Sequence, residues 1–438
     1  MPQKSPTELS FQSIASSLHE VLGEEAIDDL ARETGFLKRK RDITPMAMVA
    51  ACLSTLAVGT AKWLADIQRT FNEFTGKAVR YKPFHKQLAK PEFAEFLRRL
   101  LCEVLEALTV PVLQAVPGHK LAMFKDIVIH DGTSFAVKDT LADVFPGRFT
   151  KVSPAAVEIH ATMSATTDNA MAVTLAPDKE TERAFAPSPQ GLQGRLLLQD
   201  RGYERRSTFV EIERNGGSFI IRGNTTIKPK VVEARSEGVR LRRLENKSLH
   251  LQKLPRADVD LEIEWGRGDA RWVGRLVILY RGKKRGPKAF TLLHTNLQRT
   301  IFSPVEVGQL YRLRWQVELL FKEWKSHANL HRFDTSKPPI AEAMIWASLL
   351  AATVKRYLSH TAQLVLGVEL STQRVAKAAR HFLDHILKSL LRGGTDLPQV
   401  VAMAFLYMRE NTRRAHPERD RKKGRLATGL RPIVLAKD

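Results

Sequence analysis

Cysteine is almost missing from this 438-residue chain: Cys52 and Cys102 are the only two. They form no C-x-x-C pair, which excludes a cysteine-held zinc site and a disulfide scaffold. Reduced thiols in a cytoplasmic, nucleoid-associated protein are expected instead. Long apolar runs are missing too. Met46–Gly59 and Ala343–Val354 are the longest, fall short of the about 20 residues a membrane span needs, and both contain Ser or Thr. The N-terminus, Met-Pro-Gln-Lys-Ser-Pro, has no apolar signal region. Acid is in short supply: 47 Asp and Glu face 69 Lys and Arg, a formal net charge of +22. Such an excess suits a polyanionic partner, and with no segment to enter a lipid phase that partner is expected to be nucleic acid. No internal repeat points to a solenoid.

What is present reads in four parts. Residues 1–120 are expected to be helical and to bind DNA. Thr44-Pro45 makes an N-cap and first turn for the apolar stretch that ends near Gly59. Further helices are expected near 62–74, closed by Gly76, and over 92–109. Lys38–Arg41 and Arg80–Lys86 read as basic loops. From Leu121 the pattern turns strand-like: Ile127–His130 ending in Asp131-Gly132-Thr133, then Val157–Met163, Ala172–Leu175 and Arg195–Gln199, the last ending at Asp200. A helix near 206–214 and a strand over 218–222 follow. Residues 225–297 hold short alternating runs with turn signals between them, a β-rich insertion. Gly266-Arg267-Gly268-Asp269 lacks the third glycine of a dinucleotide fingerprint and lies between strands. Lys283-Lys284-Arg285 suits phosphate contact or a solvated hairpin tip equally. Residues 336–438 return to helix, with Ala341–Tyr357 apolar nearly all round, and end in a basic tail centred on Arg421–Lys423.

The stretch Tyr311–Lys325 organises the rest. No Pro or Gly interrupts it, and it reads as one helix. On a helical wheel Tyr311, Arg314, Glu318 and Lys325 share a stripe roughly 60° wide, beside an apolar face of Leu313, Val317, Leu320 and Trp324. Glu323 points away from that stripe. Arg314 and Glu318 alone would read as an i,i+4 surface ion pair. Asp131 and Asp200 alone would read as turn formers closing strands. Asp126 competes with Asp131 but precedes the strand, roughly 16 Å away at about 3.3 Å per residue. His327 and His331 are spaced to share a metal but have no third ligand in view.

The spacing Tyr-x2-Arg-x3-Glu-x6-Lys resembles the signature helix of bacterial insertion-sequence transposases of the DDE type, in the family numbered four among insertion sequences. Trp315, directly after Arg314, matches a form that the motif takes in transposases that cut through a DNA hairpin. The resemblance covers about 121–330. It implies an α/β fold: a ribonuclease-H-like catalytic core over 121–224 and 298–335, interrupted by the β-rich insertion and flanked by α-helical N- and C-terminal domains. It also implies that Asp131, Asp200 and Glu318 are the catalytic, metal-binding acids. Clustered carboxylates suit two Mg²⁺ ions, with Mn²⁺ able to substitute. Tyr311, Arg314 and Lys325 are expected to bind DNA phosphates, and Arg201 and Arg222 are weaker candidates for the same task. Trp315 would stack on a displaced base or plug the core edge. The implied partners are double-stranded DNA, as terminal inverted repeats and target, and a second copy of the chain on that DNA. Two alternatives stay open from the sequence: a ribonuclease-H-like nuclease without strand transfer, and an inactive transposase-derived DNA-binding protein.

Overall fold

In a computed structural model the described residues are 9–57, 63–268, 271–282, 286–328, 330, 334–416 and 429–433. Gly59, Lys283–Arg285, His331 and the centre of the basic tail lie outside them.

The chain opens with six helices: α1 (Phe11–Leu22), α2 (Glu24–Glu33), α3 (Pro45–Leu56), α4 (Leu64–Thr75), α5 (Tyr81–Leu88) and α6 (Pro91–Ala107). Thr44 caps α3 as expected, its side chain accepting from the Ala47 N–H. Gly76 ends α4 in the left-handed region at φ 66°, where a side chain would be strained. The expected basic loop at 80–86 is instead α5. Phe84 and Leu88 fall four apart there and are both fully buried, and that apolar pair turns the charged segment into a helix. Across from it, the 38–41 loop completes a groove of about 1100 Å³ whose cationic lining is Lys38, Arg39, Arg41, Lys77, Arg80, Lys86 and Lys90.

Strands follow: β1 (Leu113–Ala115), β2 (Asp126–Ala136), β3 (Ala156–Ser164), β4 (Asn169–Pro177) and β5 (Arg195–Gln199). Then come α7 (Arg206–Arg214), β6 (Ser218–Gly223), β7 (Lys230–Ser236), β8 (Val239–Arg240), β9 (Val259–Trp265), β10 (Trp272–Tyr280) and β11 (Phe290–Thr295). In the sheet, β2, β3 and β4 pair antiparallel while β2, β5 and β6 run parallel, in the order β4-β3-β2-β5-β6. This topology is the ribonuclease-H-like core. The strands that follow β6 continue this sheet. β11 hydrogen-bonds to β6 from Leu292↔Gly223 to Thr295↔Ile220, and β10, β9, β7 and β8 follow outward to make ten strands.

Strand β2 does not end at Asp131, as the Asp-Gly-Thr turn signal suggested. It runs on to Ala136, paired with β3 the whole way. Pairing with a long neighbour overrides the local turn preference of Asp-Gly. β5, however, stops at Gln199, so β2 stands without a partner on that side beyond Ile129↔Leu198.

The last part holds α8 (Pro304–Tyr311), α9 (Trp315–His327), α10 (Pro338–Leu366), α11 (Thr372–Ala378), α12 (Arg380–Leu391), α13 (Leu397–Asn411) and β12 (Leu430–Pro432), which pairs with β1. The stretch 311–325 is therefore not one helix. A single tight 3-10 turn, Arg312–Arg314, separates α8 from α9. The expected apolar face persists, with Leu313, Val317, Leu320 and Trp324 all at most 2% exposed. α10 packs on α6, α3 and α13, and α1 on α13, so the two helical segments at the ends of the sequence share one core. One sheet face joins that core through Ile129, Ile159, Leu196, Leu198 and Ile220. The opposite face packs on α7 through Leu197, Phe219 and Ile221. No described helix is long and apolar enough to cross a membrane.

Candidate active site

Where β5 stops, three acids from distant parts of the chain face one another. Asp131 comes from the unpartnered half of β2, Asp200 directly follows β5, and Glu318 sits in the first turn of α9. Alternation along a strand puts Asp131 on the face of Ile129, toward the helical core, and Asp200 on the face of Leu198.

Arg314 joins the first and third acids. Its Nη1 donates to Asp131 Oδ2 at 2.6 Å and its Nη2 to Glu318 Oε1 at 2.5 Å. The guanidinium fork is suited to this two-carboxylate grip. Asp200 accepts from the Tyr311 hydroxyl at 3.1 Å and from Arg222 Nη1 at 3.4 Å. Lys325 lies farther along α9 and donates from Nζ to the Ser134 carbonyl oxygen at 2.8 Å, at the far end of β2. Trp315 is 56% exposed and plugs no core edge. The Arg201 side chain is also exposed, and only its backbone N–H reaches the Asp200 carboxylate. Asp126 is turned to Thr166, whose hydroxyl and N–H it accepts, and takes no part in the site.

Electrostatics separate the two aspartates. Burial pushes the Asp131 carboxyl up to about 6, with the Asp200 and Glu318 charges adding to the rise and Arg314 and the Gly132 N–H opposing it. Burial also acts on Asp200 but is outweighed by the Arg201 N–H, Arg314, Arg222 and Tyr311, which hold it below the ordinary value. Burial, then Asp200, raises the Tyr311 phenol, which stays protonated as a donor. On the other sheet face His130 and His160 are buried and neutral, driven down by burial to about 3 and about 4.

The donor set, three carboxylates, fits a hard divalent cation. As the side chains stand, however, no three acidic, His or Cys groups among the described residues are placed to hold an ion. The Arg314 guanidinium occupies the space between Asp131 and Glu318 and supplies the positive charge that an ion would bring.

Glu323 lies away from the stripe of Arg314 and Glu318, but in a buried ion pair: it is 9% exposed and paired with Arg356 Nη2 at 2.9 Å. The sequence signal for this was present but weak: Lys355 and Arg356 stand inside the mostly apolar α10, and buried cations need acids or carbonyl oxygens as partners.

Comparison with known proteins identifies the family. The family described as "Transposase DDE domain" matches residues 122–354, more than half of the chain. The chain is 22% identical over 448 residues to the transposase for insertion sequence element IS231C of Bacillus thuringiensis subsp. berliner, covering 93% of each protein. It is 46% identical over 61 residues to the InsL protein of insertion sequence element IS186A of Escherichia coli (strain K12), covering 14% of this chain and 16% of that one. A cryo-EM structure of the piggyBac transposase synaptic complex with hairpin DNA aligns over 92% of this chain and 86% of that chain, at 12% identity and a TM-score of 0.47. The match from 122 to 354 takes in β2 to β11 and α9 and spans more than half of the chain, so the chain belongs to the transposase DDE domain family.

Proposed function

We propose that this transposase belongs to the insertion-sequence family numbered four and moves its element by cut-and-paste. In this reading it binds terminal inverted repeats, nicks DNA by water attack, passes through a hairpin at the element end, and joins the freed 3′-hydroxyl to target DNA by in-line transesterification. The observation that carries the reading is the double grip of Arg314 on Asp131 and Glu318, with Tyr311 on Asp200. An i,i+4 surface pair would leave both aspartates out.

Asp131, Asp200 and Glu318 would hold Mg²⁺, two ions in the active complex, with Mn²⁺ as substitute. Bound there, the ions supply activation of the attacking oxygen and charge stabilisation at the leaving one. Arg314 would leave the carboxylates and turn its fork to a phosphate beside the scissile bond. Tyr311 and Arg222, both now on Asp200, keep that acid ionised; Arg222 has donors left for DNA, whereas the single Tyr311 hydroxyl proton would turn from Asp200 to a phosphate. Lys325, at the far end of β2, would bind the backbone farther along the strand. Arg201 reaches outward from the same edge, and Trp315 would stack on a flipped base. The groove rimmed by Lys38, Arg39, Arg41 and the α5 cations would contact DNA in the 1–120 region, a polyanion matching its charge. Two ends held together call for a homodimer on the DNA.

The test is nicking and paired-end joining on a duplex carrying the element end, with Mg²⁺ or Mn²⁺. Glu318→Gln keeps size and hydrogen bonding while removing a ligand charge. Cleavage should fall by at least about three orders of magnitude, with DNA binding and melting nearly unchanged. Asp131→Asn and Asp200→Asn should match it. A Glu318→Gln protein that cuts at a near-normal rate ends the assignment. Cutting without joining would favour a nuclease.

A further inference from the structure

Three charged side chains are buried where α9 crosses α10, and none has a part in the chemistry above. Glu323 is 9% exposed, Lys355 2% and Arg356 6%. Arg356 donates to Glu323 Oε2 from Nε at 3.0 Å and from Nη2 at 2.9 Å. Its Nη1 donates to the Asp168 carbonyl oxygen, in the β3–β4 turn, and lies 3.7 Å from the Asp168 carboxylate, a second buried acid. Lys355 Nζ donates to the carbonyl oxygens of Ala57 at 2.6 Å and His327 at 2.8 Å. Both acceptors lie at helix C-termini: Ala57 caps α3 and His327 ends α9. Helix ends of that polarity favour a cation. Burial lowers the Lys355 ammonium to about 8, with Glu323 opposing the fall.

Replacing buried ion pairs by apolar residues often leaves stability equal or higher, so stability alone gives no reason for this cluster. Geometry does. α9 has only 13 residues and grows out of a 3-10 turn with no side-chain N-cap, and the polar tie at its start is the Arg314 clamp on Asp131, which the proposed reading releases when DNA binds. Glu318 and Glu323 are five residues apart on it, on faces roughly 140° apart. A rotation of α9 that breaks Glu323 from Arg356 also swings the Glu318 carboxylate off Asp131. A slide along its axis would pull the His327 carbonyl from Lys355. We propose that Glu323, Lys355 and Arg356 are positioning residues that set the rotation and depth of α9 and so place Glu318 against Asp131 and Asp200. The proposal rests on the reading of Glu318 as a metal-binding acid. Because Lys355 also holds the end of α3, it ties the N-terminal helices to the helix that carries the third acid.

The test uses full-length Glu323→Gln, Arg356→Lys and Glu318→Gln, with Leu349→Ala in the buried face of α10 as a stability control. Two readouts are taken well below melting: amide hydrogen exchange over 315–327 without DNA or metal, and single-turnover nicking of the end duplex. Affinity for that duplex is measured alongside. Glu323→Gln should speed exchange in α9 and slow nicking by about 10- to 100-fold, the usual range for groups that orient a metal ligand. Its DNA affinity should stay unchanged, and Leu349→Ala should do neither. Arg356→Lys keeps the charge but loses the two-pronged grip, and should fall between wild type and Glu323→Gln. Unchanged exchange and nicking in Glu323→Gln and Arg356→Lys, beside a dead Glu318→Gln, would overturn the proposal while leaving the active-site reading intact. So would a Leu349→Ala protein that reproduces both effects at equal melting loss. A Glu318→Gln protein that still cuts would instead remove the active-site reading itself.

Discussion

Asp131 carries the most informative charge in the molecule. Its carboxyl is raised from 3.8 to about 6, first by burial. A raised folded value means that the folded state holds its proton more tightly than the unfolded chain does. The stability contributed by that proton is complete below 3.8 and is lost as pH rises through about 6. Melting of the wild type should therefore fall, relative to Asp131→Asn, as pH is raised across this window. Glu158, raised to about 7 first by burial, titrates in both proteins; the Asp131 charge is the smallest of the influences on it, so most of its contribution cancels in the difference. Binding of Mn²⁺ without DNA should strengthen over the same range, since metal and proton compete for one carboxylate. A wild-type minus Asp131→Asn melting difference that stays flat with pH would show that Asp131 ionises as an ordinary aspartate.

Among the elements, α9 explains why Trp315 is exposed: the ring lies roughly 200° round the helix from the buried Val317. Trp315 is the first residue of α9, beside the clamped Arg314, and presents its ring outward. Trp315→Ala should leave melting within about half a kcal/mol, as for exposed positions generally. It should spare first-strand nicking and slow the later step at the element end by roughly 5- to 150-fold, the loss of one base-stacking surface. Gel-resolved single-turnover products separate the two steps, and equal loss in both would remove the stacking role. Periodicity in the sequence was enough to find this element and its apolar face, because Leu313, Val317, Leu320 and Trp324 recur at helical spacing whether or not one turn is 3-10. The break itself was not legible, since no Pro or Gly marks it. The order of strands β2 to β6 could be read from alternating runs. The true end of β2 could not, because pairing with β3 fixes it and local turn residues do not. Nor could the joining of β11 to β6, which depends on which edge of the sheet the inserted strands reach. The buried place of Glu323 escaped for a related reason: its partner Arg356 is supplied by another helix, and a wheel drawn for one helix cannot register it.

At the scale of the whole molecule, the ends of the sequence are not separable pieces. Of the 29 residues of α10, 23 are buried, and its packing partners include α3 and α6 from the first part of the chain. Strand β1 pairs with β12 near the C-terminus, with Leu113 opposite Pro432. Lys355 reaches from α10 to the end of α3. A fragment of residues 121–438 would keep the sheet and all three acids but strip α10 of those neighbours. Exposing five to eight large apolar side chains costs about 1.5–3 kcal/mol each. That sum is comparable to the roughly 5–15 kcal/mol by which a domain of ordinary stability is held. The 121–438 fragment should therefore be insoluble or should melt without a cooperative transition, although no residue of its proposed active site has been removed. The measurement is soluble yield and thermal unfolding by circular dichroism, with the full chain alongside. A soluble, cooperatively melting fragment that still nicks DNA would mean that the N-terminal helices are a detachable domain, and that their contacts with α10 contribute little to holding Glu318 in place.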